Sequence, residues 1–306
     1  MGNLLIVGAG PIGTAAARAA IDDGAVDRVA GVVDPEPSAR HELEVLTGAR
    51  GYASTADLPL GQAGDRAIVA FSSSAEKVAP EIDRLTSAGY HVVTTCEGLA
   101  WPDRHIWKAM HATARSNGQV IIVTGANPGF IMDKLPLLAA NASRNVDSIR
   151  VTRRVNTAER RLSLVEKSGR GLREDEFQAG LAAGRLGKQG LVGSIKLLAH
   201  GLGWASHDVK ESVEPIIVDG LVTGLNHHVR LRSEGRLIIL DLLLDWDLAD
   251  VYDEIVIDGD PPLHIRIDDG YHGDRGTITQ LVNALRRCNE LEPAFYRPID
   301  LPLRIG

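Results

Sequence analysis

The run Leu4-Leu5-Ile6-Val7-Gly8-Ala9-Gly10-Pro11-Ile12-Gly13 decides how the first half of the chain is read. Its four leading apolar residues make a short strand buried on both faces, and the alanine-rich stretch from Ile12 to Asp22 reads as a helix. Between them lies G-x-G-x-x-G. The first glycine permits a tight turn, the second lets the backbone approach a pyrophosphate, and the third allows helix and strand to pack closely. The helix N-terminus adds unpaired amides and the positive end of a dipole. A glycine turn without a ligand is the alternative. The strand-turn-helix context favours a binding turn in which Gly8, Gly10, Pro11, Ile12 and Gly13 meet a dinucleotide.

Outward from this turn the pattern repeats. Val29 to Val33, Ala67 to Phe71, His91 to Thr95 and Val120 to Thr124 read as strands, with helices over Ala75 to Ala88 and Asp103 to Ser116. Short apolar strands alternating with helices predict a doubly wound parallel α/β sheet. After Phe130 the rhythm changes. Ile149 to Val155 reads as a strand, and Glu174 to Leu186 and Val192 to Leu202 read as helices. Strands then follow at Val213 to Val218, His227 to Arg232, Leu237 to Trp246, Glu254 to Ile257 and His264 to Ile267. Turn chemistry at Ser233 to Arg236 and at Asp258 to Pro261 makes these antiparallel hairpins. The expected organisation is a dinucleotide-binding domain over 1–130, with the C-terminal helix and tail 277–306 packed back on it. An α+β domain on a mostly antiparallel sheet over 131–276 carries substrate and dimerisation surfaces. The long apolar strand Leu237 to Leu244 argues for a homodimer through that second sheet.

Composition narrows the partners. The 306 residues carry 44% hydrophobic and 24% charged side chains and a formal net charge of −7, which argues against nucleic acid and against an anionic membrane surface. No apolar run approaches the ~18 residues that a membrane span needs. Two cysteines, Cys96 and Cys288, make no disulfide framework, so a reducing cytoplasm is the expected compartment.

Asp34 closes the second strand at the spacing where an acidic residue meets the adenine-ribose hydroxyls and repels a 2′-phosphate. That favours NAD over NADP, while nearby Arg40 pulls toward NADP by offering a phosphate partner. Ser72 and Ser73, after a strand, either donate to cofactor oxygens or start a helix as caps. Metal ligation has no support: His227 and His228 are adjacent and point to opposite faces of a strand, and no ligand spacing appears. Asp241, Asp245 and Asp247 share a strand face by alternation, better read as a solvated face than as a cation site.

Two further stretches carry a resemblance. Thr94-Thr95-Cys96-Glu97-Gly98-Leu99 and Gly125-Ala126-Asn127-Pro128-Gly129-Phe130-Ile131-Met132-Asp133 follow the fourth and fifth strands. With the glycine turn, Gly201-Leu202-Gly203-Trp204 and His272-Gly273-Asp274, they resemble the 2,4-diaminopentanoate dehydrogenase family and its relatives, the native amine dehydrogenases. That family shares its broad architecture with dihydrodipicolinate reductases, whose His-His-and-Lys signature is missing here. The resemblance implies NAD(P)-dependent oxidation of a primary amine to a ketone and ammonia, and the reverse reductive amination, with the catalytic glutamate at Glu97. One departure stands out. Gly187-Lys188-Gln189-Gly190 replaces a Gly-His-x-Gly of the relatives, so a cationic Lys188 changes the charge of the substrate pocket and disfavours a second ammonium.

The residues themselves suit that chemistry. Glu97 sits at the end of a parallel strand, where open α/β sheets bind ligands, and a local helix cap or salt bridge is its bland alternative. Asn127 and Cys96 are placed with Ser72 and Ser73 on the cofactor side. A covalent role for Cys96 is rejected, because a lone buried cysteine is usually a small hydrophobe. Phe130, Met132, Asn156 and Lys188 are the candidate substrate contacts, with a core position as the alternative for Phe130 and a solvated strand end for Asn156. Rival activities are a reductase of a cyclic imine or keto compound that needs no ammonia, and a non-catalytic nucleotide sensor.

Overall fold

The computed structural model describes residues 2–187 and 190–301. In chain order its elements begin with β1 (Leu4–Val7), α1 (Pro11–Asp22), β2 (Val29–Val33), α2 (Pro37–Thr47), β3 (Arg50–Tyr52) and β4 (Arg66–Val69). They continue with α3 (Ala75–Ser87), β5 (His91–Thr94), α4 (Arg104–Ser116), β6 (Ile121–Val123), α5 (Lys134–Ala140), β7 (Arg144–Asn156), α6 (Leu162–Lys167) and α7 (Glu174–Ala182). Then come α8 (Leu191–Gly201), β8 (Asp208–Val218), β9 (Leu221–Ser233), β10 (Arg236–Asp245), β11 (Tyr252–Asp260), β12 (Leu263–Asp268), α9 (Gly273–Arg287) and β13 (Phe295–Tyr296). The chain divides into two compact units, Met1–Phe130 with Gly273–Gly306, and Ile131–His272.

The first unit is a seven-stranded sheet in the order β13-β6-β5-β4-β1-β2-β3, and every pairing in it is parallel. β1, β4 and β6 are buried at every position, as strands with helices on both faces must be. Chain order reverses between β1 and β4, which places a topological switch point there. α1 starts with Pro11, whose missing N–H costs nothing at a helix start, and buries Ala16, Ala17 and Ala20. Leu281, Val282, Ala284 and Leu285 of α9 join the same core. Small alanines on one helix facing larger aliphatics on the other let the two approach closely.

The second unit is a six-stranded sheet in the order β12-β11-β7-β10-β9-β8. Four pairings are antiparallel, and β7–β10 is parallel. One face of β10 buries Ile238, Leu240, Leu242 and Leu244, and α8 packs over β9 and β10. That half of the apolar run is covered within its own unit. The opposite face is mixed: Leu237, Ile239 and Leu243 alternate onto it beside Asp241, which pairs with Arg150 at 3.1 Å and with His228 Nδ1 at 2.5 Å.

Several boundaries differ from expectation for local reasons. The helix expected over Glu174 to Leu186 stops at Ala182, because Gly184 and Gly187 adopt φ of +66° and +80°. β10 ends at Asp245, so Asp247 lies beyond the strand in a left-handed turn (φ +60°) and shares no face with Asp241. β8 and β9 are longer than the sequence suggested, because β8 is an edge strand whose outer residues are exposed.

Candidate active site

In the first unit, the loops after β1, β2, β4, β5 and β6 all leave the C-terminal ends of adjacent parallel strands, so they gather along one sheet edge. The glycine turn is sterically obligatory at two positions. Gly8 has φ +102°, and a Cβ on Gly13 would stand 1.9 Å from the Gly8 carbonyl oxygen. Gly10 differs, since a Cβ there would meet nothing within 4 Å. No internal contact demands a glycine at that position, and the open space above it is what a closely approaching pyrophosphate needs.

Asp34 is held by two backbone donors. The Ala9 amide donates to Oδ2 at 2.8 Å and the Glu36 amide to Oδ1 at 2.9 Å. The carboxylate lines a cavity of about 460 Å³ with Gly8, Pro35, Phe71, Lys77 and Glu81. Arg40, expected near the ribose end of the cofactor, stays beside Asp34: its Nη1 donates to the Asp34 carbonyl oxygen at 2.5 Å, although it does not line the cavity. Phe71 is 43% exposed there, and Lys77 is the lining cation. On sequence alone Phe71 reads as the last residue of a buried strand and Lys77 is passed over, whereas β4 ends at Val69 and leaves Phe71 exposed beyond it.

The three serines after β4 divide their work. Ser74 is the N-cap of α3, its Oγ accepting from the Lys77 amide at 3.4 Å, and Ser72 Oγ accepts from the Ser74 amide at 3.1 Å. The Ser73 carbonyl accepts the Gly98 amide at 3.0 Å. That bond ties the β4 loop to the segment that carries Glu97.

Glu97 opens a 3-10 turn, Glu97–Leu99, three residues after β5 ends at Thr94. It is half-buried, with Oε2 shielded from solvent. Gly98 suits this approach, because a Cβ there would stand 3.0 Å from both the Ala75 nitrogen and the Ser73 carbonyl oxygen. Neighbouring Cys96 is fully buried, its amide donating to Thr94 Oγ1 at 3.1 Å. Burial pushes its thiol up to about 12, which makes it a poor nucleophile at neutral pH. Asn127 is buried in the loop after β6. That loop is drawn tight where a Cβ on Gly129 would stand 2.2 Å from the Gly125 carbonyl oxygen, and Thr277 Oγ1 anchors it through the Ala126 amide at 3.2 Å. Phe130 is half-buried at the end of the unit.

In the second unit, Met132 has no exposed surface and packs as core. Asn156 ends β7, where its Oδ1 accepts the amides of Ala158 at 2.9 Å and Asp247 at 3.2 Å. It lines a cavity of about 320 Å³ with Arg153, Arg154, Arg160, Asp253 and Tyr271. Beneath this cavity Arg153 Nη1 reaches both oxygens of Asp253 at 3.1 Å and its Nη2 donates to the Tyr271 carbonyl at 2.6 Å. The two partners are 100 residues apart, so no sequence signal linked them. Lys188 lies outside the described residues. Among those residues, no three His, Cys, Asp or Glu side chains converge as metal ligands, and no helix is long and apolar enough to cross a membrane.

A doubly wound parallel sheet with a glycine-rich turn at its switch point, followed by an antiparallel-sheet unit, defines the class of NAD(P)-dependent dehydrogenases. Residues 130–305 match the model of the 2,4-diaminopentanoate dehydrogenase C-terminal domain. The chain is 28% identical over 270 residues to the 2,4-diaminopentanoate dehydrogenase of Acetoanaerobium sticklandii, covering 81% of this chain and 76% of that protein. It is 24% identical over 228 residues to the amine dehydrogenase of Streptomyces virginiae, 63% of each. Among solved structures it matches the amine dehydrogenase from Mycobacterium smegmatis with a TM-score of 0.86 at 18% identity, over 100% of this chain and 97% of that one. The chain belongs to the 2,4-diaminopentanoate dehydrogenase family.

Proposed function

We propose that the protein is an NAD(P)-dependent amine dehydrogenase: amine, water and oxidised cofactor give ketone, ammonia and reduced cofactor, and the reverse is reductive amination. One observation carries this reading, the Glu97 carboxylate on a turn at the C-terminal end of β5, in the row of strand ends that also bears the glycine turn. The first unit is the dinucleotide-binding domain and the second the substrate and dimerisation domain.

When bound, NAD(P) supplies the carbon that accepts or gives hydride. Gly8, Gly10, Pro11, Ile12 and Gly13 hold its pyrophosphate against the start of α1. Ser72, Ser73, Cys96 and Asn127 form the strand-end walls. Asp34, its carboxylate held by two backbone amides, would face the adenine ribose and favours NAD over NADP, while Arg40 beside it pulls toward NADP. Glu97 takes the ammonium proton, so that the nitrogen lone pair is free to assist hydride departure, releases it to solvent, and then takes the proton of the water that attacks the iminium. Phe130, Met132, Asn156 and Lys188 belong to the substrate side, Met132 by packing beneath it.

The protein works as a homodimer in the cytoplasm. Leu237, Ile239 and Leu243 on the outer sheet face support self-pairing, and two buried free thiols suit a reducing compartment. Light scattering at micromolar concentration is expected to give a dimer mass, and a monomer mass would contradict it.

The test of the activity is oxidation of NADH in the presence of small ketones, with and without ammonium. Turnover that requires ammonium supports amine dehydrogenation. Turnover indifferent to ammonium would assign the site to plain ketone or imine reduction.

A further inference from the structure

We propose that Arg297 is a positioning residue for Glu97, acting through Trp101. The proposal rests on the reading of Glu97 as the acid/base.

The turn that carries Glu97 is short. It runs from Glu97 to Leu99, closes with the Ala100 amide on the Glu97 carbonyl at 3.2 Å, and leads directly into Trp101. A turn of this size fixes a side chain only if both of its ends are held. One hold is the Gly98 amide on the Ser73 carbonyl. The other is the indole of Trp101, over which the Arg297 guanidinium lies 4.8 Å from the ring centroid.

That guanidinium is unusually well oriented for one near a surface. Nε and Nη2 each reach a different oxygen of Asp300 at 2.9 Å, and the Arg297 amide donates to the same carboxylate at 2.9 Å. The Arg297 and Asp300 side chains are only 13% and 28% exposed. A forked arginine-carboxylate pair fixes the plane of the cation, and a fixed plane is what stacking on an indole face requires. Arg297 reaches this place because β13 adds in parallel to β6 at the sheet edge, one strand removed from β5. The C-terminal segment thus closes the far side of the turn that presents the carboxylate.

A carboxylate that moves by about an ångström loses on the order of a hundredfold in proton-transfer rate, while the glycine turn and Asp34, at other strand ends, still hold the cofactor. Arg297→Ala is therefore expected to lower kcat by about tenfold or more, with the KM for NADH and the melting temperature nearly unchanged. Arg297→Lys, which keeps a cation for the indole but loses the fork and the planar face, is expected to recover only part of that loss. Trp101→Leu removes the ring and leaves the Arg297–Asp300 pair in place, and serves where Arg297→Ala fails to fold.

Glu97→Gln is measured alongside. If it keeps its rate, the reading of Glu97 is wrong and the proposal falls with it. If Glu97→Gln loses its rate while Arg297→Ala and Trp101→Leu keep wild-type kcat, the proposal alone is overturned. A loss of kcat matched by a fall in melting temperature, and not rescued by lysine, also overturns it, because the contact then serves only the fold.

Discussion

Asp34 Oδ2 accepts the amide of Ala9 at 2.8 Å, so the end of β2 and the glycine turn after β1 are tied together by a carboxylate that also faces the adjoining cavity. Its second oxygen is held by the Glu36 amide. Two charge-assisted bonds keep the carboxylate in place at the position where the proposed cofactor site would put a 2′-phosphate. Asp34→Ser is expected to cut the preference for NAD over NADP by about tenfold or more, since one removed like charge is worth upwards of 1.4 kcal/mol in such a site. Comparing kcat/KM for the two cofactors checks this, and an unchanged ratio would contradict it.

Gly13 has no room for a methyl group, because a Cβ would lie 1.9 Å from the Gly8 carbonyl oxygen. Gly10 has room on every side within the protein. Gly13→Ala should therefore reduce stability by a few kcal/mol, as overpacking against backbone does. Gly10→Ala should leave the melting temperature almost untouched and weaken NADH binding by about tenfold or more. Thermal melts together with NADH fluorescence titrations separate the two effects. Equal thermal losses for both variants would contradict the reading.

Stability should fall at both ends of the pH scale. Cys96 and Cys288 are pushed from 9.0 up to about 12 by burial, so the stability they contribute is complete below 9.0 and is lost as pH climbs toward 12. Burial and then the nearby Arg66 charge hold the His91 imidazole below its ordinary 6.5. Its Nδ1 accepts the Val120 amide at 3.0 Å, which only the neutral ring can do. The stability from His91 is present above 6.5 and drains as pH falls below it. Melting temperatures across the range should trace a dome, with the alkaline side shallower in Cys288→Ala. A flat alkaline side in the parent protein would contradict the thiol assignment.

Breaking the pair between Arg153 and Asp253 should be costly. Both side chains are almost wholly buried, and removing one leaves an uncompensated charge in a poorly solvated place. Asp253→Ala is expected to lose about 3–5 kcal/mol in urea unfolding, against about 0–1 kcal/mol for the exposed Arg144–Asp260 pair. Similar losses at the two sites would contradict the burial argument.

Much of the first unit was legible because its signals are local. A strand buried on both faces reads as an unbroken apolar run, and the glycine turn announces itself between Val7 and Ile12. The elements that escaped carry weak local patterns. β3 is the exposed-edge triplet Arg50-Gly51-Tyr52, β13 is two residues long, and α2 has only Leu43 fully buried. The parallel β7–β10 pairing joins strands some ninety residues apart, and no hairpin turn marks it. At the candidate site Asp34 is singled out by its position at a strand end, and Glu97 by its strand-end position together with the family resemblance. Phe71, Lys77 and the Arg297–Trp101 contact could not be placed, because each depends on which loops the folded sheet brings side by side. For the same reason the folded chain tied Arg40 to the Asp34 carbonyl and enclosed Met132.

The most direct measurement follows the hydride-transfer step by stopped-flow absorbance during amine oxidation, in the parent protein and in Glu97→Gln. The account predicts a rate lower by about 10²- to 10⁴-fold in the variant, with NADH affinity preserved, because the isosteric amide keeps the turn but takes no proton. A variant that transfers hydride within a few-fold of the parent rate would show that the carboxylate at the end of β5 is not the proton acceptor.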